Sequence, residues 1–162
     1  MMTQNKSDTA GKSADFVISR VFDAPRALVW KAWTDPKQMA QWWGPKGFTN
    51  PVCELDVRPG GAIRIDMRGS DGVVHPMTGT FDEIVEPSLL VFTAVAEDQA
   101  GNPLLEALTT VTFAEHGGKT KVTVHAKAVG IAPVAPQMLD GTEAGWTQSL
   151  ERLAELVAGA RS

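Results

Sequence analysis

The chain has no tyrosine and a single cysteine, Cys53. The first absence removes a common phenolic acid–base group from any catalytic set. The second forbids an internal disulfide and agrees with a reducing compartment. There is no run of Lys and Arg, the formal net charge is −4 and the pI is about 5.3. Nucleic-acid binders gather a basic surplus on one face, so that class is excluded. No stretch approaches the ~20 consecutive apolar residues of a membrane span. The opening MMTQNKSDTAGKSAD lacks the apolar segment of a secretory signal. The expectation is a cytoplasmic protein, in which the Asn5-Lys6-Ser7 sequon has no meaning. Paired ligand spacings such as C-x-x-C or H-E-x-x-H are missing, and so is the G-x-S-x-G nucleophile elbow. Neither a metal nor another cofactor is therefore expected.

What is present is an ordinary globular composition, 43% hydrophobic and 21% charged over 162 residues. That suffices for one domain with its own core. Residues 1–14 are polar and aperiodic and read as a tail, leaving 15–162 as a single domain. Phe16–Phe22 is aromatic and β-branched and reads as a strand. Pro25 opens a short helix that carries Val29, Trp30 and Trp33 on one face. Asp35 caps a second helix, with Gln38 placed as in a capping box, and Gly44-Pro45 ends it near Trp43. Six further strands are expected over 49–57, 61–68, 74–85, 88–96, 104–114 and 119–128, separated by Gly, Pro and Asn turns. Ile63, Ile65 and Met67 alternate with Arg64, Asp66 and Arg68, so each strand has a buried and a wet face. A last helix over Pro136–Ala158 stripes Leu139, Trp146, Leu150, Leu153 and Val157 on one side. Gln148, Glu151, Arg152 and Glu155 fall on the wet side. Gly141 and Gly145 weaken its early turns by roughly 1 kcal/mol each.

These elements define an α+β architecture: a curled antiparallel sheet of six to seven strands around a long C-terminal helix, with two short helices after strand 1. Seven strands span about 29 Å. A helix about 35 Å long but about 10 Å wide cannot cover that face if the sheet is flat. The sheet must curl, the short helices must plug one end, and an apolar cavity is the expected by-product.

Five segments carry a resemblance: SRVFDAPRALVWKAWTDP (Ser19–Pro36), QWWGPKGF (Gln41–Phe48), DVRPGGAIR (Asp56–Arg64), GTFDEIVEPSLLVFT (Gly79–Thr93) and EAGWTQSLERLAEL (Glu143–Leu156). In this order they resemble the SRPBCC, or START-like, helix-grip superfamily of birch-pollen-allergen-like domains. Within it they are similar to the bacterial subfamily homologous to the activator of the heat-shock-protein-90 ATPase. The resemblance runs over residues 16–158. It implies a strand, two helices, six strands and a helix, with a deep pocket between sheet and C-terminal helix. The superfamily includes lipid carriers, hormone receptors, polyketide cyclases and oxygenase domains. The subfamily carries no shared catalytic motif. The matched Pro25, Trp33, Trp43, Gly44, Pro45, Gly60, Gly61 and Trp146 read as packing and turn residues.

Candidate cavity-lining residues follow from parity and placement. Trp33, Trp43, Phe48 and Trp146 would offer aromatic walls, and Met67, Met77 and Met138 an adaptable surface. Phe81, Phe92 and Leu150 complete the apolar lining. Two polar groups join them: His75 shares parity with Phe81 and reads as a rim residue, and Glu143 lies three residues before Trp146 on the same helix face. His116 reads as a turn residue, and His125, which shares a face with Lys121 and Thr123, as solvent-facing. Three functions compete. The first is binding of a small hydrophobic or aromatic molecule, without defined catalysis, which leans away from an enzyme. The second is a cyclase- or hydratase-like reaction using Glu143 or His75. The third is a chaperone-associated protein, partner of the heat-shock ATPase. A homodimer is compatible with all three.

Overall fold

The computed structural model describes residues 13–132 and 135–161, the side chains of 135–138 and of 160 and 161 excepted. Among them are a seven-stranded antiparallel sheet and three helices. The strands are β1 (Ser13–Phe22), β2 (Thr49–Leu55), β3 (Ala62–Arg68), β4 (Val74–Val85), β5 (Leu89–Glu97), β6 (Pro103–His116) and β7 (Lys119–Gly130). The helices are α1 (Arg26–Thr34), α2 (Pro36–Trp42) and α3 (Ala135–Arg161). The spatial order β1-β7-β6-β5-β4-β3-β2 is a six-strand meander onto whose last strand β1 folds back. This is the helix-grip fold.

β1 starts before the aromatic run. Ser13 and Ala14, the end of the expected polar tail, pair with Val129 and Ala128. Backbone pairing on a long neighbour recruits residues whose side chains give no strand signal. Asp15 then meets His125, carboxylate to Nε2 at 2.8 Å, across the outer face.

The sheet curls at defined places. Register shifts lie between Thr49 and Val52, Phe81 and Glu83, and Ala96 and Glu97. Such bulges increase local twist. Gly79 belongs to the same device: a Cβ there would stand 2.2 Å from the Thr93 carbonyl oxygen, so β4 and β5 approach more closely than any side chain allows.

Asp35 caps α2 by accepting the Lys37 N–H at 2.9 Å. The capping box with Gln38 does not form: the Asp35 N–H that Gln38 would need already donates to the Lys31 carbonyl at 2.9 Å, closing α1.

The main core lies under α1, α2 and the second half of α3. Trp33, Trp42, Phe113, Val122, Leu150 and Leu153 are all fully buried there. Trp33 meets Trp42 edge-on at 4.7 Å and Phe113 at 5.8 Å. A second, smaller cluster gathers Leu105, Ala128 and Leu139 under the start of α3.

Candidate functional site

The gap between the two apolar clusters is the candidate site. It begins with a loop, Trp43–Gly47, that follows α2. Gly44 has φ +95°, a left-handed conformation that suits glycine, and a Cβ there would stand 3.1 Å from Met67 Sδ. The Gly44 N–H donates to Ser149 Oγ at 3.0 Å, and the Lys46 N–H donates to Gln148 Oε1 at 2.9 Å. Lys46 Nζ also pairs with Glu151 at 3.0 Å.

Arg152 completes the latch. Its guanidinium donates to the carbonyls of Gln41 (2.9 Å), Trp43 (3.1 Å), Gly44 (3.0 Å) and Pro45 (3.1 Å). These oxygens are left without helical partners as α2 ends, and a planar cation with five donors fits them. Partial burial holds the guanidinium below its usual pKa, against an opposing pull from Glu155. Periodicity assigns Arg152 and Gln148 to the wet side of α3; the structure corrects that, because the loop folds over this face and uses both.

Three adjoining chambers open between this loop, β3–β6 and the first half of α3. The outermost is about 430 Å³ and is bordered by Pro45, Phe48, Met67, His75, Glu97 and Thr142, among others. The middle one, about 200 Å³, runs past Gly145, Trp146 and Ser149. The innermost, about 110 Å³, lies between Trp43 and Trp146 on one side and the sheet on the other, where Phe92 of β5 stands beside Leu105, Ala107 and Thr109 of β6. Met77 borders all three. Behind it the interior closes to a void of about 10 Å³ between Trp33, Phe81 and their neighbours, about the size of one water. The buried Trp33 Nε1 has no hydrogen-bond partner there among the described residues.

The expected lining residues fall in different places. Trp43, Met77, Phe92 and Trp146 surround the inner chamber. Phe48, Met67 and His75 stand at the outer one, where His75 is exposed with its ring 5.9 Å from Phe48. Trp33 and Phe81 border the small void. Leu150, 1% exposed, is packed into the main core. Glu143 is exposed on α3 and does not border the chambers; its backbone carbonyl accepts the Thr147 hydroxyl. The side chain of Met138 lies outside the described residues.

Sequence reasoning passed over Thr109 and Leu105. The signal was available, because both share the inward parity of Val111 and Phe113 on β6. It also passed over Pro45, Thr142 and Ser149, which only the folded loop brings to the chamber walls.

The chemistry of these walls is sparse. His75 and Glu97 are the ionisable groups among the residues bordering the three chambers, and Glu97 already accepts the Thr78 hydroxyl at 2.8 Å. Among the described residues no three His, Cys, Asp or Glu side chains gather to hold a metal ion. The Cys53 thiol is pushed up to about 11, first by burial and then by Asp35 and Glu54, so it stays protonated and unreactive at neutral pH.

A curled sheet gripping a long helix, with apolar chambers between them, defines a helix-grip domain of the ligand-binding type. The sequence profile of the activator of Hsp90 ATPase homolog 1-like proteins matches residues 23–158, and the chain belongs to that family, within the SRPBCC superfamily. An uncharacterized protein from Rhizobium leguminosarum superposes with a TM-score of 0.78 at 26% identity, covering 92% of this chain and 97% of its own. A protein from Chromobacterium violaceum is 30% identical, with a TM-score of 0.73 and coverage of 88% and 96%. The AHSA1 protein of Silicibacter pomeroyi, 24% identical, shares the fold with a TM-score of 0.75 over 90% of this chain and 98% of its own. No curated protein matches the chain. Among the described residues no helix is long and apolar enough to cross a membrane.

Proposed function

We propose that this protein binds a small, largely apolar molecule in the cleft between the sheet and the first half of α3. The observation that carries the reading is the set of adjoining chambers of about 430, 200 and 110 Å³ with walls of Trp, Phe, Met and Leu. Such a volume is that of ordinary small-molecule sites. A guest burying roughly 300 Å² of apolar area gains at most about 7 kcal/mol from burial. Association costs lower that figure, so affinity falls in the upper micromolar to millimolar range. The cyclase-like alternative is less well supported, because Glu143 does not border the chambers and His75 is exposed at the mouth, where Glu97 already accepts the Thr78 hydroxyl.

Trp43 and Trp146 make the test direct. Titration with apolar ring compounds should change tryptophan emission saturably, and Trp146→Phe should remove much of the change. No emission change with any member of a panel of fatty acids, flavonoids and steroids would sink the proposal.

A second reading rests on the outer face of the sheet, where Val17, Val21, Leu108 and Val129 are all more than 40% exposed. This is the surface a chaperone partner, or a second copy of the chain, would use. Capture of the heat-shock ATPase by the wild type, lost in Val17→Asp, would favour it.

A further inference from the structure

The inner chamber holds one polar side chain in a place where a polar side chain needs a partner. Thr109 is 2% exposed and projects from the inward face of β6, between Ala107 and Val111. It borders the 110 Å³ chamber and brings the one hydroxyl to walls otherwise made of Trp43, Met77, Phe92, Leu105 and Trp146, with alanines between them. No side-chain hydrogen bond from Thr109 to any described residue is found, whereas the other buried threonine, Thr120, donates to the Ala24 carbonyl at 2.8 Å. A hydroxyl with no protein partner that opens onto a chamber takes its hydrogen bond from whatever fills that chamber, water or guest.

We infer that the guest is a compact aromatic or alicyclic ring bearing a neutral hydroxyl or carbonyl at its buried end, which hydrogen-bonds to Thr109 Oγ1. This deepens the proposed function and rests on it. Three features of the chamber select that chemistry. Its volume falls somewhat below the ~150 Å³ of an apolar cavity that accepts benzene, so a single ring fills it and a fused second ring extends into the adjoining 200 Å³ chamber, which shares Trp43, Met77, Leu105 and Trp146. Trp43 and Trp146 meet at 82° with centroids 5.3 Å apart, a corner that offers one ring a face and an edge. No Lys or Arg borders any of the chambers, and Glu97 stands at the mouth, so a carboxylate guest finds no counter-charge. A threonine hydroxyl both donates and accepts, which admits an alcohol or a ketone equally. A wholly apolar guest would displace water from Thr109 and leave nothing in its place.

The test is a comparison of naphthol, methylnaphthalene and naphthoate by calorimetry and tryptophan emission. Wild type should bind naphthol about fivefold or more tightly than methylnaphthalene, and naphthoate most weakly. Thr109→Val, which keeps shape and β-branching, should erase the preference by weakening naphthol and relieving methylnaphthalene of the cost of an unpaired hydroxyl. Thr109→Ser should retain the preference, which guards against an effect of altered packing. Equal affinity of wild type for naphthol and methylnaphthalene, a preference that survives in Thr109→Val, or tightest binding of naphthoate overturns this inference and leaves the cavity reading standing. Failure of all three compounds to bind removes the cavity reading, and this inference with it.

Discussion

The two halves of α3 lie on the same sheet and meet it differently. In the second half Leu150, Leu153 and Val157 are at most 1% exposed and merge with the tryptophans of α1 and α2 in the main core. In the first half Leu139 joins a small separate cluster, Trp146 is half-buried, and Gly141, Glu143 and Ala144 are exposed. The difference follows from what else is available to fill the sheet's concavity. At one end the short helices contribute Val29, Trp30, Trp33 and Trp42; at the other, among the described residues, α3 is the one helix that crosses the gap. One end is a core because two layers meet over it, and the other is a cleft because one rod alone spans it.

This contrast is open to direct challenge. The largest effect should come from Leu153→Ala, which removes a fully buried side chain from the packed half and costs about 3–5 kcal/mol. Leu139→Ala in the open half should cost about 2 kcal/mol or less, since its cluster already borders empty space and loses fewer contacts. Urea denaturation of both variants checks the pair. Equal losses would mean that the two halves are packed alike.

Arg152 joins the halves, and its removal should come next in size. Arg152→Met frees four carbonyl oxygens from one guanidinium and should cost about 2–3 kcal/mol. It should also loosen Pro45 and Phe48 at the outer chamber, so ligand affinity should fall together with stability. Arg152→Lys should recover a minor part of either, because a compact ammonium with three donors cannot address four oxygens that two guanidinium nitrogens reach. Full recovery by lysine, in denaturation and in binding, would show that charge alone holds the loop.

The same contrast explains what could be read from the chain. Alternation in β3 and β7, and the Gly and Pro turns, placed the meander because each strand has one face on the core. The stripe Leu139, Trp146, Leu150, Leu153 and Val157 placed α3 correctly, but a stripe carries no mark of where its cover thickens. Leu150 therefore read as lining although it is core. Glu143 shares a face with Trp146, yet Trp146 is itself at the edge of cover, so one turn back the face is already wet. Arg152 was illegible for another reason: its partners are backbone oxygens, which leave no trace in side-chain patterns. Thr109 was legible by parity, as a polar residue on an otherwise apolar inward face.

Glycine gives the finest test of the open half. Gly141 and Gly145 sit within α3, where each costs roughly 0.5–1 kcal/mol relative to alanine. A Cβ at Gly141 would meet nothing within 4 Å, whereas one at Gly145 would reach Pro45 Cγ at 3.8 Å, an ordinary contact. Both alanine variants should therefore be stabilised by about 0.5–1 kcal/mol in urea, with slower amide exchange in the first half of α3. Their binding behaviour should then part. Gly141→Ala adds a methyl at the border of the roomy outer chamber, where it meets no wall within 4 Å, and should leave affinity within about twofold, a difference below ~0.5 kcal/mol. Gly145→Ala adds one where α3 faces Pro45, narrowing the passage between the outer and inner chambers, and should slow ligand entry and release together. If Gly145→Ala leaves both rates unchanged, guests reach the inner chamber by another path, and the gap between α3 and the Trp43–Gly47 loop is not the entrance.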